Sequence, residues 1–324
     1  MAPVYSNSAS LRFSGKAPGS LILMGEYAVL HGHPALVASI QTYIQATLTP
    51  RDDDIIHIES SLGEFQQSIN TINLDNLNNL NNLAIQKFSY VLTAIALCKK
   101  QYNKTISGFN LTIDSEFAAN LGLGSSAAVT VAVLQALYAW LNPNYQKHDL
   151  FNSALAVVRQ VQKRGSGADV AASVFGGILQ YTAEPFHIAE IPHWPPTTIL
   201  YSGHKTTTTD ALAQLAQRNT ENLNTAHELI EKLGQLSRLA IDLAWQQEWL
   251  LLGKHMNDAQ KLLTALEVST PAIDALIHEL MSLPYIYGAK LSGAGLGDCV
   301  IGIGTKVAEH LPHLGIQLGK AHHD

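Results

Sequence analysis

The sequence predicts a soluble, mixed α+β chain of two domains, and three observations carry that expectation. The chain is 324 residues long, 47% hydrophobic and only 14% charged, which is enough to bury a sizeable core and exceeds the usual single-domain length. Strand-like and helix-like patterns alternate through its first half. The character then changes near residue 186, where PFHIAEIPHWPP reads as a turn-rich connection and helical patterns take over. The boundary expected from this is 1–186 for the first domain and 187–324 for the second.

In chain order, residues 20–30 (SLILMGEYAVL) and 34–48 (PALVASIQTYIQATL) are apolar and rich in branched side chains, broken by Gly and Pro, and predict strands joined by a loop. Residues 55–59 and 109–113 alternate in the same way. Between them the Asn-Leu-rich run LDNLNNLNNLAIQKF predicts a surface loop and helix entry, leading into a helix over 84–102. Residues 127–141 (AAVTVAVLQALYAWL) are apolar all round and predict a buried helix. A further helix is expected over 148–162, then a loop, a short helix and a strand over 165–181. Helical patterning fills 208–281, including one long helix across 222–252. A strand, a glycine loop and a last strand close the pattern as IYGAKLSG, AGLGD and CVIGIG.

Charge and cysteine usage exclude several classes. The formal net charge is -6 and the 20 Lys and Arg are dispersed, so no field gathers nucleic acid. Two cysteines, Cys98 and Cys299, fit a reducing compartment, with the cytoplasm as the expectation. Residues 1–15 hold no continuous apolar stretch of signal-peptide type, and no later run reaches the roughly 18 to 20 apolar residues of a spanning helix. No membrane is expected. The 14 histidines are scattered, which argues against a histidine metal site.

The strongest chemical signal is Leu121-Gly122-Leu123-Gly124-Ser125-Ser126, set between a strand and the apolar helix. Glycines let the backbone adopt positive φ and approach a ligand closely. Several N–H groups can then converge on phosphate oxygens at the positive end of the following helix. The hydroxyls of Ser125 and Ser126 can cap that helix, bind phosphate or coordinate Mg²⁺. The alternative is a plain turn with a serine cap. Three more glycine segments weigh against that alternative: Lys16-Ala17-Pro18-Gly19-Ser20 leading to Gly25-Glu26-Tyr27, Gly165-Ser166-Gly167-Ala168-Asp169, and Leu291 through Asp298.

In this order the four segments resemble the GHMP kinase superfamily over nearly the whole chain. KAPGSLILMGEYAVLHGHPAL is similar to its first motif, NLGLGSSAAVTVA to its phosphate-binding second and KLSGAGLGDCVIG to its third. The mevalonate branch fits best, through GEYAVLHG, SGAD with Gly176-Gly177, and YSGHKTTTTDAL. The resemblance implies a ribosomal protein S5 domain 2-like N-terminal domain and a ferredoxin-like C-terminal domain. It implies ATP along Gly122, Leu123, Gly124, Ser125 and Ser126, with Ser126 a ligand of Mg²⁺ and Asp169 the carboxylate that takes the proton of the acceptor hydroxyl. Ser20, Glu26, Lys205 and the loop Ser292, Gly293, Ala294 and Gly295 are the expected substrate and phosphate contacts. The partners expected are a small-molecule acceptor, mevalonate or else mevalonate 5-phosphate, and a second copy of the chain in a homodimer, on which the residues themselves are silent.

Departures from the family pattern matter as much. The family's Lys directly after APG is Ser20 here, and its acid about eleven residues before the aspartate falls at Val158. Ala118 and Asn120 stand for the usual Pro and Gly. Lys16 either reaches into the site as a catalytic cation or is a solvated lysine. Glu26 either contributes to the metal shell or is a structural hydrogen-bond partner. Asp169 is otherwise a helix N-cap or surface carboxylate. A phosphorylated acceptor requires a cationic clamp, for which Lys163, Arg164, Lys205 and Lys290 are the candidates. A nucleotide-binding regulatory protein that has lost catalysis is the reading of another class.

Overall fold

The computed structural model describes residues 11–77, 83–102, 106–204, 206, 211 and 223–319. Lys205, most of 208–222 and the centre of the Asn-Leu run lie outside the described residues. The chain forms two compact units that are interleaved in sequence: Met1–Ala17, Ile44–Ser115 and Val129–Lys163 in the first, and Pro18–Tyr43, Glu116–Ala128 and Arg164–Asp324 in the second. Strand β1 (Phe13–Met24) and strand β2 (Ala35–Pro50) each contribute residues to both.

In the first unit, β3 (Ile55–Ser60) and β4 (Gly63–Ser68) make an antiparallel hairpin, β3 runs parallel to β5 (Phe109–Ser115), and β5 pairs antiparallel with the second half of β2 from Ile44↔Ser115 to Pro50↔Phe109. The Asn-Leu run gives two short helices, α1 (Leu74–Leu77) and α2 (Leu83–Lys87), before α3 (Ser89–Tyr102). Helix α5 (Lys147–Gln162) opens with a capping box in which Gln146 and Asp149 satisfy each other's backbone amides. It packs on α3. The body of α4 (Ser125–Leu141) is buried, with Val131, Ala132, Val133 and Leu134 all at 0% exposure, as its apolar sequence predicts. Gly15 lets β1 approach this helix, because a Cβ there would lie 2.1 Å from the Ala132 carbonyl oxygen. Each of the Val and Leu side chains of α4 removed from water contributes about 1.5 to 3 kcal/mol.

In the second unit, the first half of β2 pairs antiparallel with β6 (Ile178–Thr182), and β6 with β7 (His187–Glu190). A separate antiparallel sheet has the order β8 (Thr197–Tyr201), β10 (Cys299–Gly304), β9 (Ile286–Ser292), with β10 buried along its whole length. Helix α8 (Trp249–Ala265) lies on β9, and α9 (Pro271–Met281) packs on both β9 and β10. Thr270 caps α9 by accepting from the Ile273 amide, with Pro271 at the first position.

Three expected elements differ, the first being the helix over 84–102, which is interrupted at Phe88 between α2 and α3. The long helix over 222–252 is two helices, α7 (Leu223–Gln246) and α8. Gln247 adopts φ 59, and the Glu248 amide donates to the Leu243 carbonyl, a left-handed terminus that closes α7 without a glycine. The strand expected over 20–30 starts earlier, at Phe13, and stops at Met24 because Gly25 turns the chain at φ 99. No helix among the described residues is long and apolar enough to cross a membrane.

Candidate active site

The glycine-serine loop and the residues around it all belong to the second unit. Gly122 and Gly124 adopt φ 72 and 65 on either side of the buried Leu123. Neither tolerates a side chain: a Cβ on Gly124 would sit 1.9 Å from the Ser20 hydroxyl, and one on Gly122 would sit 2.5 Å from the Asp298 carboxyl carbon. The loop's carbonyls are held by three different parts of the chain. Tyr201 donates its hydroxyl to the Asn120 carbonyl at 2.9 Å, the Cys299 thiol donates to that of Leu121 at 3.2 Å, and the Ser20 amide donates to that of Leu123 at 3.0 Å. The amides of Gly122, Leu123 and Gly124 donate to no other group among the described residues. Left-handed glycines with unengaged amides are the arrangement that cradles anions. Ser125 and Ser126 follow as the first two residues of α4, half-buried, and the Ser125 hydroxyl reaches the Ala119 carbonyl at 3.4 Å.

On the far side of Ser20 lies Asp169, in the first turn of α6 (Ala168–Phe175). The Ser20 hydroxyl donates to Asp169 Oδ1 at 2.8 Å. Gly167, at φ 90, is the residue that caps α6, so Asp169 is inside the helix and is not its N-cap. Asp169 keeps some accessible surface, yet the protein around it is dense enough that desolvation raises its pKa, opposed by the Ser20 hydrogen bond. At Ser20, where the resemblance implies a lysine after APG, this chain places a neutral hydroxyl against Asp169. The effect is a carboxylate with more affinity for a proton than an ordinary aspartate.

The first and last glycine segments meet nearby. Glu26 is 1% exposed and accepts from the ammonium of Lys290, itself 0% exposed, which also donates to the Leu291 carbonyl. Burial raises the Glu26 pKa and lowers that of Lys290, while each charge supports the other. The Ser292 hydroxyl donates to the Ile22 carbonyl at 2.8 Å and the Tyr27 phenol donates to the Ala294 carbonyl. Gly293 and Gly295, at φ 92 and 73, form the turn beyond.

Of the expected residues, Ser20, Glu26, 122–126, Asp169 and 292–295 thus fall in one unit. Glu26 takes the role of a buried hydrogen-bond partner. Lys290 corrects one expectation, because a lysine committed to Glu26 inside the protein is not available to clamp a phosphorylated acceptor. Arg164 is exposed. Lys16 belongs to the first unit, where it is exposed and its backbone amide donates to Gln135 Oε1 at 2.8 Å. The arrangement also draws on Tyr27, Tyr201, Asp298 and Cys299, to which the sequence assigns no role at the site. Asp298 and Cys299 stand at the end of the third motif, a signal that could have found them, whereas nothing local marks Tyr201 as an anchor of Asn120.

Comparison with known proteins agrees with this geometry. The family model described as GHMP kinases N terminal domain matches residues 89–177, and that described as GHMP kinases C terminal matches residues 210–310. The chain belongs to the GHMP kinase family. It is 31% identical over 297 residues to the mevalonate kinase of Pyrococcus abyssi, covering 88% of this chain and 86% of that protein. Among solved structures, a Lin0012 protein from Listeria innocua superposes with a TM-score of 0.82 at 20% identity, covering 96% of this chain and 98% of the other. The mevalonate kinase of Methanococcus jannaschii superposes with a TM-score of 0.75 at 23% identity, covering 97% and 99%.

Proposed function

We propose that this chain is a mevalonate kinase, transferring the γ-phosphoryl group of ATP to the hydroxyl of mevalonate. The observation that carries the chemistry is the loop of unengaged amides at 122–124 held against Ser20, whose hydroxyl orients Asp169. The named relatives support the choice of acceptor.

The amides of Gly122, Leu123 and Gly124, with the positive end of α4, bind the nucleotide phosphates. Phosphoryl transfer asks the protein mainly for positioning and charge neutralisation. Asp169 accepts a hydrogen bond from the acceptor hydroxyl and receives its proton as the O–P bond forms and the bond to ADP breaks. Its raised pKa strengthens it as a base and sets the pH below which it is already protonated. Ser20 keeps one carboxylate oxygen fixed so that the other faces the acceptor.

The hydroxyl oxygen of Ser126, the residue expected to hold Mg²⁺, is a hard donor of the kind that ion prefers. Among the described residues no group of three or more His, Cys, Asp and Glu is gathered, so the ion would complete its shell with phosphate and water oxygens. Bound there, Mg²⁺ would neutralise charge on the transferring group. Residues 1–186 and 187–324 are read as the nucleotide-binding and C-terminal domains, supported by family-model spans that lie on either side of residue 186. A cytoplasmic location fits two cysteines that are both buried and free.

The test is ADP release measured in parallel with mevalonate and mevalonate 5-phosphate. Turnover with mevalonate alone is the expected result. Turnover only with the phosphorylated acceptor would move the assignment to the next kinase class, and turnover with neither would leave a nucleotide-binding protein without this activity.

A further inference from the structure

We propose that Glu26, Tyr27, Lys290 and Ser292 form a clasp that sets the closing glycine loop, and that Lys290 and Glu26 are thereby positioning residues for phosphoryl transfer. The proposal rests on the functional reading above. Lys290 and Ser292 are alternate residues of β9 and project from the same face of the strand. Their partners, Glu26 and the Ile22 carbonyl, both come from the first motif. Two residues further on, the Ala294 carbonyl is held by the phenol of Tyr27. Tyr27 adopts φ 62 and ψ -48 at the centre of a γ-turn closed by the Ala28 amide donating to the Glu26 carbonyl at 2.6 Å, a strained conformation for an aromatic residue, and in that conformation its hydroxyl meets the loop.

Stability alone does not account for the pair. Burying two charges carries a desolvation cost that their attraction offsets only with full hydrogen bonding, and an apolar pair of the same size is often as stable. Here the second carboxylate oxygen, Glu26 Oε2, is buried without a well-formed hydrogen bond among the described residues, and the Glu26 and Gly293 amides beside the carboxylate offset only part of the burial penalty. What an ion pair supplies that an apolar pair does not is register, because a strand slipped by one residue would bury the ammonium without its partner. The register of β9 matters to the chemistry. The loop it feeds runs through Gly293 and Gly295 to Asp298 and Cys299, which abut Gly122 and hold the Leu121 carbonyl. A shift at Lys290 is therefore passed to the amides of the phosphate loop.

The experiment uses the full chain carrying both Glu26→Gln and Lys290→Met, which removes both charges while keeping volume. Cooperative melting is expected to persist, kcat to fall about 10- to 100-fold, as small misplacements of reacting groups do, and KM for mevalonate to change little. Amide exchange of residues 293–298 is expected to accelerate. A double variant with wild-type kcat, or with a lowered melting temperature as its sole defect, overturns the proposal. If the double variant does not fold, Tyr27→Phe removes one link of the clasp alone and is expected to lower kcat several-fold, and an unchanged kcat overturns the proposal. If the wild type does not act on mevalonate, the functional reading fails separately. Exchange at 293–298 then decides the clasp: acceleration in the double variant supports it and unchanged protection sinks it.

Discussion

The hydroxyl of Ser20 donates to Asp169 Oδ1 at 2.8 Å while its oxygen fills the space that a side chain at position 124 would need. One small residue therefore orients Asp169, the proposed base, and shapes the loop proposed to hold phosphate. Ser20→Ala removes a hydrogen bond that favours the ionised carboxylate, so the Asp169 pKa moves further up. The acid limb of the kcat profile is expected to shift to higher pH, with activity lost earlier as pH falls. A pH–rate profile checks this, and an unshifted limb contradicts it.

Asp169→Asn should lower kcat by about 10²- to 10⁴-fold and leave the affinity for nucleotide near that of the wild type in calorimetry. The same change should stabilise the fold at neutral pH. Because burial raises the folded-state pKa of Asp169, the folded protein binds its proton more tightly than the unfolded chain. Stability from this group is thus lost as pH rises from the unfolded pKa through the folded one. Melting temperatures should show the variant gaining on the wild type at pH 7 and not at pH 3.

Gly124→Ala places a methyl group 1.9 Å from the Ser20 oxygen at a residue with φ 65. The strained backbone costs of order 1 to 3 kcal/mol before the collision is counted. Nucleotide binding is expected to weaken at least about tenfold, the equivalent of 1.4 kcal/mol, and a titration with ADP and Mg²⁺ measures it.

Tyr201→Phe removes one anchor from behind the loop, the bond to the Asn120 carbonyl. Tyr201 is only half-buried, so stability should change by no more than about 1 kcal/mol. KM for ATP should rise while KM for mevalonate stays the same, which steady-state kinetics will show.

Desolvation pushes the Cys299 thiol up to about 12, with the Asp298 charge acting in the same direction, and its S–H donates to the Leu121 carbonyl. Cys98 is likewise raised to about 12 by burial. Since the thiolate is the reactive form, neither should react with a thiol reagent at pH 8 in the native protein. Both should label after denaturation.

Much of this arrangement was readable from the chain alone. Glycines in an ordered series mark Gly122, Gly124 and Gly293 because positive φ and missing side-chain room are properties of single positions. Asp169 is legible for a related reason, as the one acid in a glycine turn leading into an apolar helix. The pairing of Lys290 with Glu26 is not, because the two are 264 residues apart and nothing local distinguishes a lysine bound for the interior from a solvated one. The break at Gln247 was hidden for a different reason: α7 ends in a left-handed glutamine, and neither Gly nor Pro stands there to signal it.

The carbonyls of Asn120, Leu121 and Leu123 are fastened from behind by Tyr201, Cys299 and Ser20. During synthesis the last of these fasteners emerges some 175 residues after the loop itself. A nascent chain released before residue 299 would own every amide of the proposed phosphate cradle and lack the thiol that fastens the Leu121 carbonyl, so the loop is fully braced only after the third glycine segment has been made.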